Sequence, residues 1–378
     1  MDDRQYDATS GENTVAEPKK RKKKRVWRIL LILLLSLALI VGMLVGGGYW
    51  WVHHTIDSNV SSADDYTDDE VDVTPKDDMV DNVVGDDPAV EPDTMKDRID
   101  RVHNIALFGV DTAEGSVGRS DAMIILSIDE EYNKIKMTSL ARDTLVPIAG
   151  HGEEKLTHAW AYGHAKLALK TINQSFGMNI TDYVYLNFEE FMDVIDYIGG
   201  VRLHVNQIEL DVINYTPDES LKLPGVGEHM LTGRQALLYS RVRTDSETNR
   251  TARQREVLIA MYEQVRKQPA SKLPETLKKV LKLCHTNMAT STMLETATWA
   301  LLNNPTFESL SMPNSQLKPW NGILDNERGW VRIYDLDAAK KVLYNFIYEI
   351  DVKVTGVTEY IPAPTTTAVE ETTPTTSQ

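Results

Sequence analysis

Cysteine is nearly absent: Cys284 stands alone in 378 residues, so no internal disulfide framework holds this chain together. Basic charge is in the minority, with 40 Lys and Arg against 56 Asp and Glu for a net of −16, which excludes a protein that coats nucleic acid through a general basic surface. Any anion it binds must be met locally. Three common catalytic signatures are missing as well: the Gly-x-Ser-x-Gly elbow, the Gly-rich loop ending in Gly-Lys-Ser/Thr, and the His-Glu-x-x-His zinc pattern. His158 and His164, six apart, do not share a helix face and read as packing or surface residues. Cys284 reads as a small buried hydrophobe. What remains is an ordinary globular mix, 42% hydrophobic and 25% charged, long enough for one large or two small domains.

Charge is spread unevenly. Residues 29–52 carry none, and at about 1.5 Å per residue a helix of that length crosses a hydrocarbon core of roughly 30 Å. The run is longer than a signal-peptide core and ends in Tyr49, Trp50 and Trp51, residues suited to a membrane interface, so a retained single-pass anchor is expected. Eight basic residues crowd between Lys19 and Arg28, and fifteen acids lie between Asp64 and Asp100. The positive-inside rule then places a tail, residues 1–28, in the cytoplasm and the remainder outside the cell membrane. Residues 53–100 are read as an acidic, disordered, self-repelling linker, and residues 356–378 as a Thr/Pro-rich disordered tail.

Residues 101–355 alternate strand-like and helix-like patterns. The apolar runs Ile105 to Val110 and Met123 to Ile128 predict strands covered on both faces, with Lys134 to Thr138 as a hairpin partner, hence a mixed sheet. Ala165, Leu169, Ile172 and Phe176 recur at helical spacing before Gly177, a fitting C-terminal cap. Tyr183 to Leu186 reads as a strand, Phe188 to Ile198 as a helix and Val201 to Val205 as a strand. Stretches around 251–265, 276–283 and 293–302 read as helices. The expected fold class is α/β, a mixed central sheet with helices on both faces.

Arginines in this acidic domain fall into a few short motifs. Arg119 precedes one buried strand and Arg142 follows another. Arg241 and Arg243 would share a face if extended, and Arg250, Arg253 and Gln254 fall at i, i+3 and i+4. A guanidinium is always charged and its planar fork fits phosphate oxygens, so such a set suits a di-anionic or pyrophosphate group. Solvated surface arginines paired to carboxylates are the alternative. Asp111 and Asp121 stand at strand ends, where carboxylates beside a phosphate hold Mg²⁺ or, more plainly, cap turns and pair with arginine.

In order along the chain, Asn104 to Asp111 (NIALFGVD), Gly118 to Asp121 (GRSD), Ser139 to Asp143 (SLARD), Lys155 to Tyr162 (KLTHAWAY), Asn187 and Phe188, Gly199 to Val201 (GGV), Leu231 to Arg243 (LTGRQALLYSRVR) and Asn249 to Gln254 (NRTARQ) resemble the LytR-CpsA-Psr family of bacterial envelope proteins. These motifs span about 104–260. The resemblance implies a membrane-anchored phosphotransferase that moves a polyprenyl-pyrophosphate-linked glycopolymer (teichoic acid, capsule or similar) onto a peptidoglycan hydroxyl, leaving the lipid monophosphate. It implies an apolar lipid pocket, which the Ala165, Leu169 and Ile172 face is a candidate to line against the simpler core reading. By the same resemblance Asp111 and Asp121 hold Mg²⁺ (or Mn²⁺), Arg119, Arg142, Arg241 and Arg243 form the catalytic set, and Lys155, Arg250 and Gln254 bind substrate. Arg253 joins that substrate-binding group through its helical spacing.

The chain departs from the family pattern at Ala141, where proline is usual, and at Glu247, where aspartate is common; residues 270–355 match no motif. The base, if any, is open between Asp143, Glu247 and none. Rival readings are a polyprenyl-pyrophosphate hydrolase, a non-catalytic lipid-glycan carrier, or a regulator. About 28 cytoplasmic residues are too few for a folded DNA-binding domain, so nucleic acid is not an expected partner.

Overall fold

The computed structural model describes residues 66–84, 91–111 and 118–361, all within the second of two compact units, Ile56–Gln378. The expected anchor, the cytoplasmic tail and residues 362–378 lie outside the described residues. Among the described residues no helix is long and apolar enough to cross a membrane.

Helices α1 (Lys76–Val84) and α2 (Pro92–Arg101) lead into strands β1 (Val102–Asp111), β2 (Arg119–Asp129) and β3 (Lys134–Leu140). A hairpin, β4 (Leu145–Ile148) and β5 (Gly152–Lys155), opens onto α3 (Leu156–Phe176), followed by β6 (Asp182–Asn187) and α4 (Phe188–Tyr197). Then come β7 (Val201–Val205), α5 (Gln207–Asn214), β8 (Gly227–Leu231), α6 (Gly233–Ser240) and α7 (Glu247–Arg266). The last part holds α8 (Leu273–Leu283), β9 (His285–Thr286), α9 (Thr290–Asn303), β10 (Thr306–Met312), β11 (Trp320–Ile323), β12 (Trp330–Ile333) and α10 (Leu336–Tyr348).

Six strands form the central sheet in the order β10-β3-β2-β1-β6-β9. β1 is antiparallel to β2 and parallel to β6, and β3 is parallel to β10, so the sheet is mixed as expected. On one face Ala106, Phe108, Met123 and Ile125 pack against Leu169, Ile172 and Phe176 of α3 and Leu343 and Ile347 of α10. On the other, Ile105 and Ile128 meet Met293 of α9, while α4, α6 and α7 share a second core around Ile195, Ala236 and Val257. Helices therefore cover both faces. Gly177 caps α3 at φ +64 and returns its N–H toward Asn173, the left-handed conformation a glycine reaches without a Cβ penalty. Two placements lie beyond what the sequence pattern carries. β7 pairs with β8 outside the central sheet. Residues 270–355, which match no motif, supply both edge strands and α10.

The acidic linker read over 53–100 is corrected over its described part. Val71, Met79 and Met95 are fully buried in the main core, with Val80 and Ile99 nearly so. Composition hides a sparse apolar pattern: Met95 and Ile99 sit four apart on one face of α2, and acids elsewhere in the segment find cations. Asp77 pairs with Lys96 at 2.5 Å, Asp100 with Lys76, and Glu70 with Lys166. The tail boundary moves too. Val352 is buried, Val354 and Val357 pack on the core, and the Thr358 N–H donates to Asp335 at 2.9 Å, so packed chain extends beyond 355.

Candidate active site

The site forms where β1 and β2 end beside the first turns of α3 and α7. Along the β1–β2 ladder Gly109 pairs with Ala122, but Val110 pairs with Ser120 and Asp111 with Arg119. Asp121 is thus the extra residue of a β-bulge, a device that breaks the alternation of side chains and re-aims one of them. Its carboxylate accepts from Arg142 Nη1 at 2.5 Å and from Arg243 Nη2 at 3.1 Å. Asp111, at the end of β1, is half exposed and lies 4.0 Å from Arg241 Nη2.

Arg142 and Asp143 sit just past β3, where the Ala141 N–H donates to Met312 at 2.9 Å. A proline there lacks that donor, so alanine at this position adds a backbone bond to β10. Asp143 lies 3.4 Å from both Arg142 Nε and Lys155 Nζ. Burial works against the Arg142 charge, but Asp121, by charge and hydrogen bond, and Asp143 together raise its pKa.

Arg241 is the C-cap of α6, not part of a strand, and Arg243 follows it in the loop; Val242 is buried between them and turns both outward. Helix α6 is pressed against α4 at Gly233, where a Cβ would fall 2.2 Å from the Met192 carbonyl oxygen. The Arg241 guanidinium lies 4.5 Å above the Phe188 ring, a cation–π contact that holds it at the mouth of an apolar cavity. Burial, then the neighbouring Arg142 charge, lowers the Arg243 pKa. An excess of positive charge of this kind is relieved by an anion.

On α7 the three residues expected to act together divide, Arg250 and Gln254 both lining the apolar cavity and Arg253 lining neither. Arg250, 2% exposed, donates from Nη1 to the Asp121 carbonyl at 3.1 Å and is gripped along its other edge by Glu247. Gln254 lines the apolar cavity. Arg253 turns the other way, donating to Glu209 at 2.7 Å and to Asp245, and lines neither cavity, so the structure places it behind the site as a structural ion pair.

Two cavities result. A polar basin of about 430 Å³ is lined by Asp111, Arg119, Asp121, Arg142, Asp143, Lys155, Thr157, His158, Arg241 and Arg243. An apolar cavity of about 180 Å³ is lined mainly by Leu107, Ile124, Val184, Leu186, Phe188, Phe191, Leu237 and Leu258. Asp121 and Arg241 line both. The Ala165, Leu169 and Ile172 face does not line the apolar cavity; it is fully packed on the opposite side of the sheet. His158, expected to be a packing or surface residue, lines the basin. The signal for it was Glu154, four residues earlier, rather than His164 six residues later. Among the described residues no group of three or more His, Cys, Asp or Glu side chains is placed to hold a metal ion. Asp111 and Asp121 are two hard oxygen donors, a set that a small divalent cation completes with phosphate oxygens and water.

The LytR_cpsA_psr family model matches residues 54–343. A polyisoprenyl-teichoic acid–peptidoglycan teichoic acid transferase TagU of Oceanobacillus iheyensis is 36% identical over 166 residues, covering 42% of this chain and 49% of that protein. Biofilm regulatory protein A of Streptococcus mutans is 32% identical over 206 residues, half of each chain. The chain thus spans about half the length of the curated relatives it matches. The solved structure of the LytR-CPS2A-psr family protein YwtF (TagT) with bound octaprenyl pyrophosphate lipid superposes with a TM-score of 0.51 at 24% identity, covering 70% of this chain and 95% of that one. At that identity the likeness is one of fold.

Proposed function

Because this chain belongs to the LytR-CpsA-Psr family, we propose that it is a membrane-anchored phosphotransferase that moves a polyprenyl-pyrophosphate-linked glycopolymer onto peptidoglycan. The observation that carries the reading is the meeting of the two cavities at Asp121 and Arg241. An amphiphile with an apolar tail and a multiply charged head fits that junction. The relatives support it, one named as a teichoic acid transferase and one holding octaprenyl pyrophosphate.

Charge fits the head group. Five cations (Arg119, Arg142, Lys155, Arg241, Arg243) face three carboxylates (Asp111, Asp121, Asp143), a surplus of two positive charges in a chain of net −16. Phosphoryl transfer asks a protein for positioning and charge neutralisation more than for covalent help. In this reading Arg241, stacked on Phe188, holds the pyrophosphate where the first prenyl carbons enter the apolar cavity. Arg142 and Arg243 are aimed by the Asp121 carboxylate, and Arg119 and Lys155 close the far side of the basin. Arg250 fastens the bulge and Gln254 meets the lipid side. Mg²⁺ (or Mn²⁺) bound at Asp111 and Asp121 would supply further neutralisation of the phosphate oxygens.

The reading includes the anchor at residues 29–52, with residues 1–28 cytoplasmic and the folded unit outside the cell membrane. Protease added to wall-stripped cells then removes the folded unit, and full protection overturns that orientation. The function is tested with full-length protein in detergent, a polyprenyl-pyrophosphate-linked glycan and peptidoglycan oligomers. Glycan joined to peptidoglycan through one phosphate, with lipid monophosphate released in equal amount, is the expected result. Lipid monophosphate released without joined product would instead identify a hydrolase, and binding without turnover a carrier.

A further inference from the structure

The arginines account for the donor head group and leave the acceptor hydroxyl without a partner. Of the carboxylates in reach, Glu247 has both oxygens taken by Arg250, and Asp143 lies 3.4 Å from both Arg142 and Lys155. In both, each carboxylate oxygen already faces a cation. His158 differs from both.

His158 lines the basin, and its Nδ1 lies 2.8 Å from Glu154 Oε2. With the imidazole N–H donating to that carboxylate, the tautomer assigned by the contact leaves a lone pair on Nε2 for a ligand in the basin. The preceding residue fixes its place. The Thr157 N–H donates to the Arg142 carbonyl at 3.0 Å and Thr157 Oγ1 to the Ser120 carbonyl at 2.8 Å, so His158 follows a residue bonded to Arg142 and to the neighbour of Asp121. One turn later Tyr162 meets the His158 ring edge-on at 5.9 Å and stacks on His151, with centroids 4.0 Å apart and planes 8° apart. Tyr162 is 45% exposed, leaving a flat aromatic surface beside the histidine. Such a surface fits the apolar face of a sugar ring.

We propose that His158, oriented by Glu154, takes the proton from the acceptor sugar hydroxyl while that sugar packs on Tyr162. The inference rests on the phosphotransferase reading above. As the acceptor oxygen bonds to the glycan-side phosphorus, its O–H bond breaks and the proton passes to Nε2. The phosphorus–oxygen bond to the polyprenyl phosphate breaks, and that group leaves with the electron pair. Glu154 stabilises the imidazolium until it returns the proton to water. A base, a group that orients it and a binding surface for its substrate are then contiguous on β5 and the first turns of α3.

The test uses full-length protein in detergent with Mg²⁺, a polyprenyl-pyrophosphate-linked disaccharide and uncrosslinked peptidoglycan oligomers, reading disaccharide joined to peptidoglycan together with lipid monophosphate release. General-base catalysis is worth about 10²- to 10⁴-fold, so His158→Gln should lower kcat about a hundredfold or more while donor KM stays within about twofold. The acid limb of its kcat/KM profile against pH should vanish, a change that loosened packing does not produce. Glu154→Gln, which leaves the imidazole in place, should lower kcat about tenfold, on the scale of lost orienting contacts. Tyr162→Ala should raise acceptor KM with kcat nearly intact. Wild-type turnover with His158→Gln within about threefold of it and an unchanged pH profile would overturn this inference and leave the functional reading standing. A wild-type protein that joins no disaccharide to peptidoglycan overturns both.

Discussion

Arg250 donates to the backbone carbonyl of Asp121 at 3.1 Å, so the first turn of α7 is fastened to the bulge that aims the Asp121 carboxylate into the basin. The bond uses the main chain of Asp121, not its side chain. The strut between sheet and helix therefore does not depend on which side chain stands at 121, and the carboxylate is left to Arg142 and Arg243 in the basin.

Asp121→Asn should therefore keep the fold and lose metal-dependent turnover. Removing that charge raises the positive surplus of the basin by one, so inorganic pyrophosphate should bind more tightly without Mg²⁺ than it does to the wild type. Asp111→Ala should lose metal dependence in the same way. Calorimetric titration with pyrophosphate, with and without Mg²⁺, alongside the turnover assay checks both. A variant with normal turnover and normal metal dependence would remove the proposed metal site.

Met95 tests whether the segment before β1 belongs to the folded unit. It is fully buried in the main core, and truncating a buried methionine to alanine costs about 2–5 kcal/mol. Met95→Ala should lower stability by that amount in urea unfolding. A change below about 0.5 kcal/mol, the range of ordinary surface substitutions, would return the segment to the status of a linker.

Much of this architecture is legible in the sequence because its signals are local. The apolar runs of β1 and β2, the helical stripe ending at Gly177, and the arginine motifs at element ends all report on their own neighbourhoods. Non-local pairing is what the pattern does not carry. Asp111 and Asp121 flank their strands in the sequence, but the bulge that singles out Asp121 exists only once β1 and β2 are in register. Arg253 shows a different gap. At about 100° per residue, positions i+3 and i+4 lie on opposite sides of i, roughly −60° and +40°, so Arg250 and Gln254 can face the apolar cavity while Arg253 turns away from it. The segment 66–101 was hidden by averaging, since five buried apolar side chains are few among its acids.

Arg253 and Asp245 yield a prediction with a pH signature. The hydrogen bonds from Arg253, opposed by burial and aided by the Ser246 N–H, hold the Asp245 carboxyl well below the usual carboxylate range. A depressed folded-state pKa contributes stability that is fully present above about pH 4, the unfolded value, and is lost as pH falls toward the folded one. Asp245→Asn should therefore be less stable than wild type at pH 7 and should show a smaller further loss between pH 4 and pH 2.5. Urea midpoints at the three pH values measure this. Arg253→Lys should weaken the fold while leaving donor KM within about twofold, because Arg253 lines neither cavity. An unchanged fold with a large rise in donor KM would restore Arg253 to the substrate site.

The last prediction separates a pyrophosphate clamp from a patch of positive charge. Arg241 lies over the Phe188 ring and 4.0 Å from Asp111, and Arg243 donates to Asp121 at 3.1 Å, so each guanidinium plane is already oriented before a ligand arrives. Lysine keeps the charge but lacks the planar fork and the stacking face. Charge-assisted hydrogen bonds of this kind contribute about 1.5 to 3 kcal/mol each, which corresponds to a loss of about tenfold to a hundredfold in kcat/KM for Arg241→Lys or Arg243→Lys. Arg202→Lys, on the exposed face of β7 and outside both cavities, is the control and should change the rate by less than a factor of two. Measured at two salt concentrations, a patch acting only through its net charge would give all three variants near-normal rates with the same salt dependence as wild type. That result would remove the clamp, whereas a loss confined to Arg241→Lys and Arg243→Lys, and persisting at high salt, requires the fork.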